Sequence, residues 1–306
     1  MNYMKKYTEQ QIKEFVAKPF FNEKTLLEKD SAFLKVSIIM TSYNQGRFLE
    51  RSILSILNQN YPNLEFIIIA GGSTDESAGI IKKYEKYLAY WVSEKDKGQS
   101  DGLNKGFRMA TGEIIGGQNS DDIYLPGVLS AAAGFFKKNP DADIIFCNRF
   151  DIDENDNITG ESKFTKFSRI VYQYDGISLG SQSTFWRKDL FAKIGYLDTG
   201  LHLAMDYEFF LRAAAKKAKF KFLPYYLGAM RRHRAAKTEM FLGTAPHQEE
   251  LEKINRGYNR KKWLNLPLKI YSLAYRSVNY FLQGDGGYVF KGLARRFKKG
   301  SILSGR

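Results

Sequence analysis

The sequence predicts an α/β fold, with a mostly parallel, Rossmann-like central sheet flanked by helices and a helical, basic C-terminal extension. Three observations predict it. Short β-branched runs alternate with segments of helical period between residues 36 and 92. A polar turn rich in Gly, Ser or Asn follows each run. From Trp263 onward the pattern changes to apolar and aromatic residues at three- and four-residue steps among Lys and Arg. Strand, helix, strand, helix, strand is the pattern of parallel strands joined by right-handed crossovers, and it places a ligand outside the carboxyl ends of those strands.

Residues 1–34 form a charged N-terminal extension in which Tyr7-Thr8-Glu9-Gln10-Gln11 can cap a short helix that Pro19 ends. Val36-Ser37-Ile38-Ile39-Met40 is the first buried strand, followed by the turn Thr41–Asn44. Phe48, Ile53, Ile56 and Leu57 lie on a helical period closed by Asn58–Pro62. Glu65–Ile69 is the second strand, and Thr74 or Asp75 caps the helix through Ile80, Ile81 and Tyr84. Leu88–Val92 is the third. Three polar loops thus fall at strand ends, at 41–44, 70–75 and 93–99.

After the apolar Glu113-Ile114-Ile115 comes Gln118-Asn119-Ser120-Asp121-Asp122. Two adjacent carboxylates and an Asn at a strand end suit a hard cation, Mg2+ or Mn2+, completed by phosphate and water. The competing reading makes Ser120 or Asp121 the cap of a helix from residue 123. Asp151–Asn157 (DIDENDN) is an acidic turn, a hairpin before Ile158. A calcium loop would need Gly at its sixth position and Glu at its twelfth, where this chain has Asp156 and Ser162.

The succession SIIMTSYNQGRFLERSILSILNQNYPNLEFIII, GGSTDES, SEKDKGQSDGLNKGF, ATGEIIGGQNSDDIYLPG, QSTFWRKDLFAKIGYLD, LHLAMDYEFFLR and RRHRAAKT resembles the family 2 glycosyltransferases of the GT-A fold, in order, over about residues 35–240. The resemblance implies an inverting, metal-assisted transferase that uses a nucleotide diphosphate sugar, a UDP-sugar in the first instance. It implies that Thr41, Tyr43 and Asn44 line the nucleoside pocket and that Asp96, Gln99 and Asp101 sit in a loop closing over base and ribose. Asn119-Ser120-Asp121 takes the DxD position, with Asn in place of its first Asp and Asp121 facing metal and diphosphate. Asp206 takes the position of the catalytic base, and His233 that of a His near the metal or diphosphate, with Lys237 and Thr238 completing its loop. Without the resemblance, Asp206 reads as a cap of the helix Tyr207–Lys216 and His233 as part of a solvated basic loop. Gln182 and Trp186 are acceptor-side candidates; Trp186 otherwise reads as a core aromatic. One position departs from the family. Where relatives carry an Asp that accepts a hydrogen bond from uracil, this chain has Ala70, so another base is used, another residue substitutes, or nucleotide binding is impaired, naturally or by engineering.

The expected organisation is therefore an extension (1–34), a GT-A domain (35–240) with a nucleotide-sugar half (about 35–122) and an acceptor half (about 123–240), and a basic amphipathic tail (241–306). The expected activity is transfer to a glycan or lipid-linked acceptor in surface polysaccharide synthesis. A degenerate, binding-only relative at the membrane and a nucleotidyltransferase are the alternatives. The second would want a Gly- and Arg-rich triphosphate loop after the first strand, which Thr41–Asn44 is not.

Net charge is +14, and residues 251–306 carry 13 Lys and Arg against two acids. The body lacks a basic stripe interleaved with aromatics, which argues against a nucleic-acid partner. The single Cys147 excludes an internal disulfide and fits a reducing compartment. No stretch approaches a spanning helix, and Met1–Glu14 lacks the apolar core of a signal peptide. The location expected from these features is cytoplasmic, peripheral on the inner face of the cell membrane, with residues 262–306 as the lipid contact. The rival for that segment is a helix packed on the domain or on another subunit of a homo-oligomer.

Overall fold

A computed structural model of the chain describes residues 7–175 and 179–290. It divides into two compact units, one of Met1–Phe164 and Leu179–Met240, the other of Thr165–Ser178 and Phe241–Arg306.

The first unit opens with α1 (Glu9–Ala17), closed by a reciprocal capping box in which the Thr8 hydroxyl accepts from Gln11 N and the Gln11 amide oxygen accepts from Thr8 N. α2 (Glu23–Leu27) follows. Then come β1 (Val36–Ser42), α3 (Gly46–Leu57), β2 (Leu64–Ala70), α4 (Ser77–Lys83), β3 (Tyr90–Ser93), α5 (Gln99–Met109) and β4 (Ile114–Asn119). β5 (Ile123–Tyr124), α6 (Val128–Lys138), β6 (Ile144–Ile152) and β7 (Ile158–Ser162) continue the chain. α7 (Arg169–Asp175) belongs to the second unit. The chain returns to the first through β8 (Thr184–Arg187), α8 (Leu190–Ile194), α9 (Met205–Ala215) and β9 (Phe220–Arg231). α10 (Lys237–Phe241) runs across the division, and α11 (Ala245–Gly257) and α12 (Asn265–Leu282) lie in the second unit.

Among the described residues the strands form one sheet in the order β3-β2-β1-β4-β8-β6-β9-β5, with β7 on β6. β3, β2, β1 and β4 are parallel; β8 is antiparallel to both of its neighbours, and β6 and β9 are parallel. β1 and β2 are buried at every position and mostly apolar, and the buried Ser37 hydroxyl of β1 donates to Glu65 of β2. Ile38, Met40, Phe66 and Ile68 pack with Ile53 and Leu57 of α3 and Ile81 of α4. α5 crosses β1 and β2, close enough that a Cβ on Gly106 would collide with the Ile39 side chain. The register sets Thr41 opposite both Ile69 and Asn119, so the carboxyl ends of β1, β2 and β4 form one edge.

α1 supplies part of a second core. Ile12, Phe15 and Val16 pack with Ile123, Leu125, Phe150, Ile152 and Tyr226. The segment read as an extension is thus folded into the first unit, and Glu9 accepts a hydrogen bond from Ile158 N beyond the acidic hairpin (3.0 Å).

In the second unit α12 packs on α7, with Arg276 paired to Asp175 at 2.6 Å. Of its residues, Ser272 and Tyr280 are buried, whereas Leu266, Ile270, Val278, Phe281 and Leu282 are exposed, together with Trp263 just before it. The expected basic tail lies from residue 291 outside the described residues. Among the described residues no helix is long and apolar enough to cross a membrane.

Candidate active site

The loops after β1 and β2 are sewn together. Asn44 adopts φ 51°, a left-handed conformation that Asn tolerates. Its N–H donates to Ser73 Oγ (3.0 Å) and its side-chain oxygen accepts from Thr74 N (2.9 Å). Asp75 accepts from Gly46 N at the start of α3 (2.8 Å) and from Ser77 N at the start of α4 (3.1 Å). α4 begins after Glu76, so Asp75 ties two helix starts together rather than capping one. Thr41 is buried at the strand edge, while Tyr43 is 62% exposed beside it.

The loop 94–101 lies over the end of β2. Asp96 accepts from Gly98 N (2.8 Å), and its carboxylate sits where a Cβ on Gly71 or Gly102 would come within 3.0 or 3.1 Å of Oδ2. Asp101 accepts from Lys97 N (3.2 Å) and holds the loop's shape. Gln99 reaches outward, its Nε2 donating to Asn119 Oδ1 (2.9 Å), and Lys237 donates to His202 O (3.1 Å) and to Gln99 Oε1 (3.4 Å). Ala70 has no exposed surface and belongs to the apolar core with Ile68 and Met40.

The 119–122 segment does not cap a helix. Ile123–Tyr124 is strand β5, and α6 starts only after Gly127, which holds φ 77°. Asn119 Nδ2 donates to Asp122 Oδ2 (2.9 Å), and Arg231 N donates to Asp122 Oδ1 (2.8 Å). Burial, and the charge of neighbouring Asp121, push the Asp122 carboxyl well above the usual range. Ser120 is buried, its carbonyl accepting from Ser52 Oγ (2.8 Å). Asp121 turns the other way, with Oδ2 3.0 Å from His233 Nε2. His233 is itself buried against the Phe48 ring, 4.7 Å between centroids, rather than in a solvated loop.

Asp206 stands in the first turn of α9, whose cap is Ala204. It is half-buried and lines a small cleft with Gly117 of β4, Leu103, Phe107, Leu197 and Trp186. Burial pushes its carboxyl up to about 6, opposed by the positive charges of Lys237 and Arg149. Arg149 acts on Asp122 as well. The two acceptor-side candidates sit differently from expectation. Gln182 is 2% exposed beneath β9, with its carbonyl against Gly228, and Trp186 is 4% exposed among Phe107, Phe191, Phe209 and Phe210. Trp186 lines the same small cleft as Asp206.

Two contributors escaped the sequence: Arg231 buried behind the turn and Phe48 under His233. Arg231 sits in a run of basic residues that reads as solvated, and only the distant strand order buries it.

Among the described residues no group of three or more His, Cys, Asp or Glu is placed to hold a metal ion. Asp121 and His233 supply one oxygen and one nitrogen donor on one side, a set that fits Mn2+ or Mg2+ only with phosphate oxygens and water as further ligands.

Comparison with known proteins adds to this geometry. The chain is 31% identical over 199 residues to an uncharacterized glycosyltransferase of Methanocaldococcus jannaschii, covering 63% of this chain and 69% of that one. It is 31% identical over 147 residues to the chondroitin synthase of Escherichia coli, covering 45% of this chain and 21% of that one. Among solved structures, Staphylococcus aureus TarS 1–349 in complex with UDP-GlcNAc superposes with a TM-score of 0.58 at 17% identity, over 89% and 93% of the two chains. The mannosyltransferase PcManGT of Pyrobaculum calidifontis in complex with GDP-Man and Mn2+ gives 0.54 at 16%, over 94% and 87%. The fold is that of the GT-A transferases. The family model for glycosyl transferase family 2 matches residues 37–195, more than half of the sequence, and the chain belongs to that family.

Proposed function

We propose that the protein transfers a hexosyl or N-acetylhexosaminyl group, with inversion, from a nucleotide diphosphate sugar to a hydroxyl of a glycan or lipid-linked acceptor in cell-surface polysaccharide synthesis. The observation that carries this reading is Asp206, a half-buried carboxylate raised to about 6, in a cleft lined by Gly117 of β4, the strand that ends at Asn119. An acceptor hydroxyl is a poor nucleophile. Asp206 takes its proton as the new bond to the anomeric carbon forms, while the old bond breaks with its electron pair leaving on the diphosphate. Attack from the side opposite the leaving group turns an α-linked donor into a β-linked product. Asp121 and His233 face the diphosphate, and Lys237 brings a cation to the same edge. A divalent ion, Mn2+ or Mg2+, supplies charge neutralisation on the leaving diphosphate when bound.

Thr41, Tyr43 and Asn44 hold the nucleoside, and Gln99 and Asp101 order the loop above it. Asp96, against Gly71, brings to the base the carboxylate that residue 70 lacks. UDP is the first base to test, since TarS carries UDP-GlcNAc, with GDP the second, since PcManGT carries GDP-Man. Calorimetric titration with UDP, GDP, CDP and dTDP, with and without Mn2+, is the test. One nucleotide is expected to bind in a metal-dependent way, more weakly after Asp96→Asn. If none binds, the donor reading fails and the binding-only alternative, which Ala70 favours, moves ahead.

We further infer that α12 rests on an anionic lipid surface at the cytoplasmic face. Its outward side is apolar, Trp263 sits at its start among Lys261 and Lys262, and residues 265–282 contain no acid. Sedimentation with phosphatidylglycerol vesicles tests this; indifference to them, with a dimer by light scattering, would assign the face to a second subunit.

A further inference from the structure

A guanidinium taken wholly out of water is costly, and it persists only where ion pairing and hydrogen bonding satisfy it. The Arg231 side chain, at the last residue of β9, is 0% exposed. Its three nitrogens are all engaged. Nη2 pairs with Asp156 Oδ1 (2.6 Å), Nη1 donates to Asp153 O (2.9 Å), and Nε donates to Asp121 O (2.8 Å). The guanidinium lies over the Phe48 ring, 4.9 Å from its centroid, and that ring also supports His233. Asp156 stands in the left-handed region (φ 65°), and its other oxygen takes Arg51 Nη1 (2.6 Å). The hairpin tip is braced from within, since Asp153 Oδ1 accepts from Asn155 N (2.8 Å) and Asn157 N (2.9 Å). The acids that suggested a calcium loop are therefore spent on protein partners.

We propose that this acidic hairpin positions the Asp121–His233 pair through Arg231, with Asp156 as the residue that holds the guanidinium in place. The proposal rests on the reading of Asp121 as the carboxylate facing the donor diphosphate. Arg231 fixes the turn at two points, by Nε to the Asp121 carbonyl and by its backbone N–H to Asp122. Ser52 fixes a third, the Ser120 carbonyl. With those groups held, the Asp121 side chain is left to meet His233, and Phe48 links the imidazole to the same guanidinium. A buried pair kept only for stability is replaceable by apolar side chains of similar volume. The directional N–H bond to Asp121 is not.

The full chain is titrated by calorimetry with whichever of UDP and GDP the unmodified protein binds, with and without Mn2+, and melted without ligand. Asp156→Asn keeps a residue that tolerates the left-handed turn. It is expected to weaken Mn2+-dependent nucleotide binding by about tenfold or more, a typical loss when an outer support of a metal ligand goes. Metal-free nucleotide affinity is expected to stay as it was. The double variant Asp156→Asn/Arg231→Met removes both charges and keeps the left-handed turn. It is expected to melt near the original temperature without regaining Mn2+-dependent affinity, and it decides the question alone if Asp156→Asn does not fold. Leu26→Ala, in the core away from the turn, is expected to melt lower yet bind normally. Full affinity in either Asp156 variant overturns the proposal. An unmodified protein that binds neither nucleotide defeats the donor reading beneath it, and the clamp with it.

Discussion

α3 and α12 are both amphipathic helices, and they are mounted in opposite senses. α3 turns Phe48, Leu49, Ile53, Leu54, Ile56 and Leu57 inward, as a helix covering a sheet does. α12 turns Ser272 and Tyr280 inward, anchors itself by Arg276 to Asp175, and leaves Ile270, Val278, Phe281 and Leu282 outside. Periodicity announces a two-faced helix; it does not say which face the protein covers. That is set by what lies opposite. α3 meets an apolar sheet, whereas α12 meets a short helix with a carboxylate to offer.

The contrast can be broken by separating the functions of the two units. Asp206→Asn is expected to lower transfer by about 10²–10⁴-fold, the usual range for a lost general base, while vesicle binding is unchanged; equal loss of both would tie the units together. Next, Leu57→Ala in α3 is expected to cost about 2–5 kcal/mol in denaturant unfolding, since it empties a packed site. Ile270→Ala in α12, 59% exposed, is expected to fall within about 0.5 kcal/mol. Ile270→Glu with Phe281→Glu should abolish sedimentation with anionic vesicles at unchanged melting temperature, and retained binding would refute the lipid contact. The pH profile sharpens the catalytic side. Asp206 must be ionised to accept a proton and its pKa is raised to about 6, so kcat/KM should rise through pH 6 and fall away below it. A limb near pH 4 would deny Asp206 that role. A modest effect is expected of Arg276→Ala. Its partly exposed pair with Asp175 should be worth about 1 kcal/mol or less, measured by the melting temperature.

What the sequence revealed follows the range of the forces involved. β1 and β2 were legible because strands buried on both faces are predominantly apolar, here with β-branched runs at Ile38-Ile39 and Ile67-Ile68-Ile69. The capping box at Thr8 and Gln11 and the acidic hairpin were legible because their partners lie within a few residues. β5 was not. Two residues before Pro126 and Gly127 look like a helix entrance, and only pairing of Ile123 with Ala229 makes them a strand. Asp121, Asp206 and His233 stood out through their motifs, but the burial of Gln182 and Trp186 depends on strands joined far along the chain. Arg231 is the sharpest instance. Nothing in Arg231-Arg232-His233-Arg234 sets the first apart, yet it ends β9 under a hairpin made more than seventy residues earlier.

The packing of α1 bears on how the chain comes to be folded. Ile12, Phe15 and Val16 find their cover on β5, β6 and β9, and Tyr226 follows Ile12 by about two hundred residues. During synthesis the segment that becomes α1 is made long before the strands that bury it. For most of that time its apolar face is open, and closing so long a loop is slow. The nascent chain therefore has a built-in delay between making its first helix and being able to use it, an interval in which a chaperone, or another nascent copy, competes for the same three side chains.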